Sequence, residues 1–209
     1  ATSSSKTMSV NVKAVIDDVV FEAFDSQGYE DGGRDNSGTV IQNLTKSQIV
    51  AEGIDGPIPV VIRYGVGDKD GSETARIILE IDNDMIGSGG NALKFVYYEP
   101  IADTDNEKYP GVFKDIPSDK LDSNSEDGIF TFSNITSSND PIIKGLHLIP
   151  QANHVPEDGI VITAKILVSD TGTEFTQQAS KVLTVKIIDR ADVFEIAFAS
   201  PSLSASAED

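Results

Sequence analysis

Period-two alternation of apolar and polar residues is the feature that most restricts the fold of this chain. Its longest run has Ile160, Ile162, Ala164, Ile166 and Val168, separated by single residues that include Thr163 and Lys165. Such a pattern is typical of an antiparallel strand with one face in a core and the other in water. Shorter runs of the same kind lie at 10–14, 60–64, 75–81, 93–97, 130–132, 146–148 and 183–187. We therefore predict an all-β chain folded as a β-sandwich.

The segments between these runs are rich in acidic residues and glycine, which favours turns. One of them, residues 35–57, is polar and weakly patterned, and it contains a single helix-start signal. There Thr45 and Gln48 have the spacing of a capping box, in which each residue satisfies a backbone N–H of the first turn. We expect one short helical turn after Thr45 and no long amphipathic helix.

Composition restricts the partners. The 209 residues include 34 acids and 16 bases, a net charge of -18. Nucleic acid and anionic membranes bind clustered Lys or Arg, so neither is expected as a partner. The chain has no cysteine, which removes disulfides, thiolate zinc sites and cysteine nucleophiles. No run approaches the roughly 18 apolar residues of a membrane span, and residues 1–7 lack the apolar core of a signal peptide. We expect a soluble, monomeric fragment.

The acidic loop at residues 66–73 suggests a metal site. Asp68, Asp70 and Glu73 lie within six residues, beside Gly67 and Gly71. Ca²⁺ takes six to eight oxygen ligands in an adaptable shell, so three converging carboxylates suit it better than Mg²⁺. The spacing is not that of an EF-hand, and an acidic surface turn is the alternative interpretation. Because strands are predicted at 60–64 and 75–81, we expect this loop at the tip of a hairpin.

Other acidic turns extend the set of candidate ligands for calcium. Each of them could equally be a solvated surface turn. The candidates are Asp82 and Asp84, and Asp103 and Asp105.

Catalytic signatures are weak. His147 and His154 are the only histidines, and they lack the HExxH spacing of a zinc protease. The run Gly87-Ser88-Gly89-Gly90 is neither a nucleophile elbow nor a phosphate-binding loop. We assign no catalytic residue and do not predict an enzyme. A glycosidase with two opposed carboxylates stays as an alternative.

An internal sequence repeat indicates the module boundaries. Residues 12–22, VKAVIDDVVFE, recur as residues 185–195, VKIIDRADVFE. The repeat suggests that both ends of the chain carry the same junction of a tandem array. We therefore divide the chain into a linker and first strand (1–16), one module (17–192), and the start of the next junction with a flexible tail (193–209).

The order of motifs resembles that of the cadherin-like or Ig-like modules of giant bacterial RTX adhesins. The motifs are Asp17-Asp18, the turn 28–31, the loop 68–73, the segment LHLIPQAN at 146–153, and a closing Leu-Thr-Val strand at 183–185. The resemblance implies an extracellular module on a bacterial surface, acting in adhesion to cells or surfaces and in biofilms. It implies an Ig-like or cadherin-like β-sandwich with several calcium ions at the junctions between neighbouring modules. The ligands that it implies are Asp17, Asp18, Glu30, Asp31, Asp68, Asp70 and Glu73, with Asp189 and Asp192 at the C-terminal junction. Secondary candidates are Glu157, Asp158 and Asp170, which lie in turns flanking the long strand at 160–168.

The module exceeds the roughly one hundred residues of a simple Ig-like domain, with an insertion over about 87–139. Long insertions are usually functional, and this one resembles the calcium-dependent peptide-binding modules of such adhesins. We expect a peptide or protein ligand, with a glycan as alternative, bound near Asp82 and Asp84. The contact residues expected for it are Tyr97, Tyr98, Asp103, Asp105 and Tyr109. A purely structural extender, stiffened by calcium, is the other hypothesis.

Overall fold

A computed structural model describes residues 16, 18–35, 37–66, 72–101, 111–124, 127–135, 139–170 and 173–189. Two short helices, α1 (Lys46–Glu52) and α2 (Pro141–Lys144), accompany the strands. The strands are β1 (Val19–Phe24), β2 (Ser26–Tyr29), β3 (Ile58–Pro59), β4 (Val61–Val66), β5 (Thr74–Ile81), β6 (Lys94–Glu99), β7 (Val112–Asp115), β8 (Leu121–Asn124), β9 (Ile129–Ile135), β10 (Leu146–Ile149), β11 (Ile160–Ser169) and β12 (Thr176–Ile188). The prediction of an all-β fold is confirmed.

The strands form two layers. One layer is a six-stranded sheet in the order β2-β12-β11-β5-β9-β8. The other contains the pair β1-β4 and the sheet β3-β10-β6-β7. Only Val60 separates β3 from β4, and its N–H donates to the Leu146 carbonyl at 2.9 Å. The two parts of this second layer are therefore continuous through one stretch of chain.

The first strand divides between the layers. β1 pairs antiparallel with β4, and after Asp25 the chain continues as β2, which pairs parallel with the end of β12. Asp25 stabilises this crossing because its carboxylate accepts the Thr184 N–H at 2.7 Å. Together, β1, β4, β10 and β6 follow the A-B-E-D order of an Ig-like sandwich, and β12, β11 and β5 follow G-F-C.

The main core lies between the layers and explains the alternation. Buried side chains of β11 and β5 alternate with less buried ones, as the period-two pattern predicts. The Phe95 ring packs edge-on against Phe130 at 4.8 Å and Phe132 at 5.9 Å between centroids. These three rings all come from residues 87–139, so that segment is built into the core. It also supplies β6 and β7 to one layer and β8 and β9 to the other.

A second, smaller core lies on the outer face of β10, β6 and β7. It contains the buried Leu44, Val96, Phe113 and Ile149, with α1 above them. The predicted capping box is present, because Thr45 accepts from the Gln48 N–H at 3.1 Å while the Gln48 side chain accepts from the Thr45 N–H at 3.0 Å. The helix therefore starts where the sequence indicated and closes the outer face.

One strand prediction needs correction. The loop after Val66 is not a hairpin tip, since β4 pairs with β1 whereas β5 pairs with β11 and β9. Adjacent alternating runs carry no information about their pairing partners, and here the chain crosses from one layer to the other. Strand β12, with 13 residues, is longer than β11, with 10. The first seven residues of β12 are mostly exposed, so they lack the alternation that revealed β11.

Several predictions fall outside the described residues. They are the strand at 10–14, the tail 193–209, the candidate metal ligands Asp17, Asp68, Asp70, Asp103, Asp105 and Asp192, and the candidate ligand-contact residue Tyr109.

Candidate functional site

The candidate acids divide between the two ends of the sandwich. At the end that we call the Asp18 end, β1 and β5 begin, while β4 and β11 stop. At the opposite end, called the Asp189 end, β2, β5 and β12 stop and β11 begins. Asp18, Glu73 and Asp170 lie at the first end, and the remaining described candidates lie at the second.

Glu73 and Asp170 are neighbours at the Asp18 end. Thr74 of β5 pairs with Ser169 of β11, and the two acids are the next residues beyond this pair. Their exposed fractions are only 6% for Glu73 and 8% for Asp170. The backbone around Asp170 is tied to Thr173, whose hydroxyl accepts the Asp170 N–H at 3.0 Å and donates to its carbonyl at 2.8 Å. The strand register thus places two buried acidic residues at neighbouring strand ends.

Asp18 approaches the same end from the other layer. It is exposed and immediately precedes Val19, which pairs with Val66 at the end of β4. The chain continues from Val66 to Ser72 through residues that include Asp68 and Asp70. The Asp18 end thus has acids from three separate segments, and oxygen ligands of this kind suit Ca²⁺.

The described residues do not complete a metal site on their own. Among them, no group of three His, Cys, Asp or Glu side chains lies close enough together to hold an ion. A calcium ion bound between Glu73 and Asp170 would therefore need further oxygens, from residues outside the described set, from backbone carbonyls or from water.

Glu30 and Asp31 do not belong with Asp18, contrary to the single junction set that the resemblance implied. β1 and β2 run in the same direction, so these acids come out at the far end of the sandwich, roughly 35 Å away at about 3.3 Å per residue. There the Glu30 N–H donates to the Ile188 carbonyl at 3.2 Å, next to the exposed Asp189. Glu30 and Asp189 thus share one end, and Asp18 lies at the other.

The other acids at the Asp189 end are exposed and lie in turns. Asp82 accepts the Asp84 N–H at 3.1 Å and so caps a 3₁₀ helix over Asn83–Met85. Glu157 and Asp158 are exposed in the turn before β11. In this turn Gly159 has a φ of 77°, and a Cβ there would lie 2.8 Å from the Val185 carbonyl oxygen. For Asp82, a structural role as a cap is evident.

Sequence reasoning missed Arg34, the most extensively bonded side chain at the Asp189 end. It is 2% exposed, and its guanidinium donates to five backbone carbonyls at 2.8–3.2 Å. The acceptors are the carbonyls of Gly38, Gly90, Asn91, Ala92 and Pro150. Burial lowers the pKa of Arg34, and the nearby charge of Asp31 opposes that shift. The available signal was that Arg34 is the only Lys or Arg between residues 14 and 45.

A cleft of about 320 Å³ opens between the layers. Its floor is formed by the buried Leu93, Phe95 and Phe130 and the partly buried Ile116 and Leu121. Lys94 and Asp115 stand on its rim and form an ion pair at 2.7 Å. Ala92 completes the lining, so every lining residue comes from 87–139.

Two of the three tyrosines predicted for a ligand site, Tyr97 and Tyr98, pack in the cores, and the third, Tyr109, lies outside the described residues. Tyr97 packs against the main core, the role that its spacing from Leu93 and Phe95 also suggested. Tyr98 belongs to the smaller outer core, where its ring lies 5.2 Å from Phe113 and 4.3 Å from the Lys46 ammonium. Burial raises the pKa of the Tyr98 hydroxyl. Neither tyrosine lines the cleft.

Comparison with protein-family models, with curated proteins and with solved structures finds no match. In the part of the chain that the structure describes, no helix is long and apolar enough to cross a membrane.

Proposed function

We propose that this chain is a calcium-dependent, ligand-binding module of a bacterial cell-surface adhesin. The observation that carries the proposal is the pair of buried carboxylates, Glu73 and Asp170, at neighbouring strand ends. Carboxylate oxygens are ligands that Ca²⁺ prefers, so an ion at this position can use both side chains. The resemblance of the motif order to RTX adhesin modules supplies the extracellular setting and the adhesive role.

Glu73 and Asp170 would hold the ion, and Asp18 would be drawn towards it from the other layer. Asp68 and Asp70 lie between Val66 and Ser72 in sequence, so they are the natural further ligands. Bound calcium would connect the start of β1 and the loop after β4 to the end of β11. Because Asp18 borders residues 1–17, an ion there would also stiffen the connection to a preceding module.

Thermal unfolding in millimolar calcium and in chelator tests the proposal. At a hundred to a thousand times its dissociation constant, one bound ion adds about 2.7 to 4.1 kcal/mol to the stability of the fold. We expect this gain in the wild type and its loss in Glu73→Gln and in Asp170→Asn. Glu157→Gln, at an exposed turn of the other end, is the matched control and should keep the gain. An equal melting midpoint with calcium and with chelator would refute the calcium role.

The second candidate, a structural extender, is favoured by one specific observation. The chain passes Asp18 at one end of the sandwich and Asp189 at the other, which is the geometry of modules joined end to end. An extender needs calcium only at the junctions and no ligand site. Small-angle scattering of a two-module protein would show a longer maximum dimension in calcium than in chelator if the junction is stiffened.

We propose a binding module rather than an enzyme because, among the described residues that line the cleft, Asp115 is the one carboxylate. A glycosidase requires two carboxylates that face each other across the substrate.

A further inference from the structure

We propose that the cleft between the layers binds an extended peptide, which adds as a strand to β8 and places an apolar side chain against Phe95 and Phe130. The inference rests on the proposed ligand-binding function and names the kind of ligand. It differs from the sequence-based expectation, which placed the ligand at tyrosines and acidic loops.

The first support is the open edge of β8. Within the described residues, β8 is the last strand of the six-stranded sheet. The Ser133 N–H donates to the Lys120 carbonyl at 2.9 Å, so alternation turns the backbone groups of Leu121 and Ser123 away from β9. β7, the edge strand of the other layer, is partly covered, because the Phe113 N–H donates to the Leu44 carbonyl at 2.9 Å. The Leu121 N–H donates to the Pro117 carbonyl at 3.2 Å, so the outward groups that an added strand can use on β8 are the Leu121 carbonyl and the N–H and carbonyl of Ser123.

The second support is the position of the cleft beside that edge. Leu121 of β8 lines the cleft and packs towards the core. A strand added next to β8 directs alternate side chains to the same face as Leu121. Strand addition of this type takes affinity from main-chain hydrogen bonds and specificity from pockets for alternate side chains. A volume of about 320 Å³ is at the small end for ligand sites, which suits one aliphatic or aromatic side chain.

The third support is the charge around the cleft. Asp115, Asp119, Asp122 and Asp127 are exposed on the strands and connections that border it. Of the nearby lysines, Lys94 pairs with Asp115, Lys114 pairs with Glu99, and Lys120 donates to the Asn134 carbonyl at 3.0 Å. The surroundings therefore favour basic residues in the peptide. Lys94 and Asp115 can also separate, so that Lys94 donates a hydrogen bond to a peptide carbonyl and Asp115 accepts one from a peptide N–H.

The test is an NMR titration with the capped peptide acetyl-KVKFKVK-amide, in calcium and again in chelator. Control peptides replace Phe with Gly or every Lys with Glu. We expect saturable ¹H–¹⁵N shifts centred on Leu121, Ser123 and Phe95, with affinity weaker by about tenfold or more for the Gly peptide, since it loses the buried ring.

Variants of the protein test the contributions of the cleft and of the β8 edge to peptide binding separately. Ala92→Phe fills the cleft, and Ser123→Pro removes an outward N–H without breaking the ladder to β9; each should weaken binding by about tenfold or more. Ser123→Ala keeps the N–H and should bind as the wild type does. An unchanged affinity in both Ala92→Phe and Ser123→Pro, or the absence of saturable shifts, overturns the proposal. A concentration-dependent dimer that Ser123→Pro abolishes, without peptide binding, would overturn it in favour of pairing between two copies.

Peptide titration and thermal melting, each done in calcium and in chelator, distinguish this inference from the proposed function. Calcium-dependent melting without peptide binding removes the cleft proposal and leaves the calcium role. Peptide binding in a chain whose melting ignores calcium supports the cleft and removes the calcium role.

Discussion

The two ends of the sandwich hold their buried charges in different ways. At the Asp189 end, the guanidinium of Arg34 is surrounded by five carbonyls from three segments of the same chain. At the Asp18 end, the buried charged residues are two acids, Glu73 and Asp170, next to the paired strand residues Thr74 and Ser169. Backbone carbonyls of the protein thus surround the buried guanidinium at one end, and we propose that a cation joins the two carboxylates at the other. This difference predicts that one end is independent of calcium and the other is not.

Removing Arg34 should be the largest perturbation, and it should affect only the calcium-independent end. Arg34→Ala leaves several buried carbonyls without their donor, so we expect a loss of about 3–5 kcal/mol in the free energy of unfolding. Urea unfolding at neutral pH measures it. Arg34→Lys should recover only part, since an ammonium lacks the planar fork.

Arg63 is the matched control for Arg34. It is exposed, with its guanidinium 5.0 Å from the centre of the Phe24 ring. Arg63→Ala should cost under about 1 kcal/mol. If Arg34→Ala cost no more than Arg63→Ala, the account of the Asp189 end would be wrong. Added calcium should stabilise Arg34→Ala by the same increment as the wild type.

An intermediate loss of stability is expected on substitution of Asp82. This variant tests whether the acids of the Asp189 end differ from those of the Asp18 end in their response to calcium. Asp82→Ala removes a cap from the 3₁₀ helix and should cost about 0.5–1 kcal/mol. Because we assign Asp82 to the backbone and not to an ion, the stabilisation by calcium should stay the same. Asp158→Ala, at an exposed turn position, serves as the control in the same melting experiment. A loss of the calcium response in Asp82→Ala would show that the Asp189 end binds calcium as well.

The smallest expected effect is a pH dependence of the free energy of unfolding that comes from His147. It has to be known before the stabilities of variants at the two ends are compared. Burial lowers the pKa of His147 from its ordinary value of 6.5, and Lys46 adds to this shift, whereas the hydrogen bond to the Gly145 carbonyl opposes it. Between the folded pKa and about 6.5, the unfolded chain binds more protons, so stability falls as pH falls through this window. His147→Gln should flatten that slope in urea unfolding from pH 7 to 5. An equal slope in wild type and variant would contradict the assignment, with His154→Gln as the control.

The sequence predicted well those features that depend on neighbours in the chain. Alternation at 160–168 and 75–81 marked strands because each has one face in the core. The capping box at Thr45 and Gln48 spans three residues and was equally local. The partners of β4 and β5 could not be found in this way, since alternation is the same whichever strand lies alongside.

The site was predicted less completely for the same reason. Glu73 and Asp170 were both identified as acids in turns, yet their meeting depends on the register of β5 against β11, across almost a hundred residues. The resemblance to adhesin modules grouped Glu30 and Asp31 with Asp18, whereas extended strands carry them apart. Arg34 reaches Pro150, 116 residues away, and no local pattern marks such a contact.

A calcium titration followed by ¹H–¹⁵N NMR tests the central claim most directly. The account predicts saturable shifts centred on Glu73 and Asp170, spreading to Thr74, Ser169 and Asp18, and absent in Glu73→Gln. Residues around Arg34 should remain unshifted. Shifts centred instead on Glu30 and Asp189, or no saturable shift at any calcium concentration, would contradict the assignment of the calcium site to the Asp18 end.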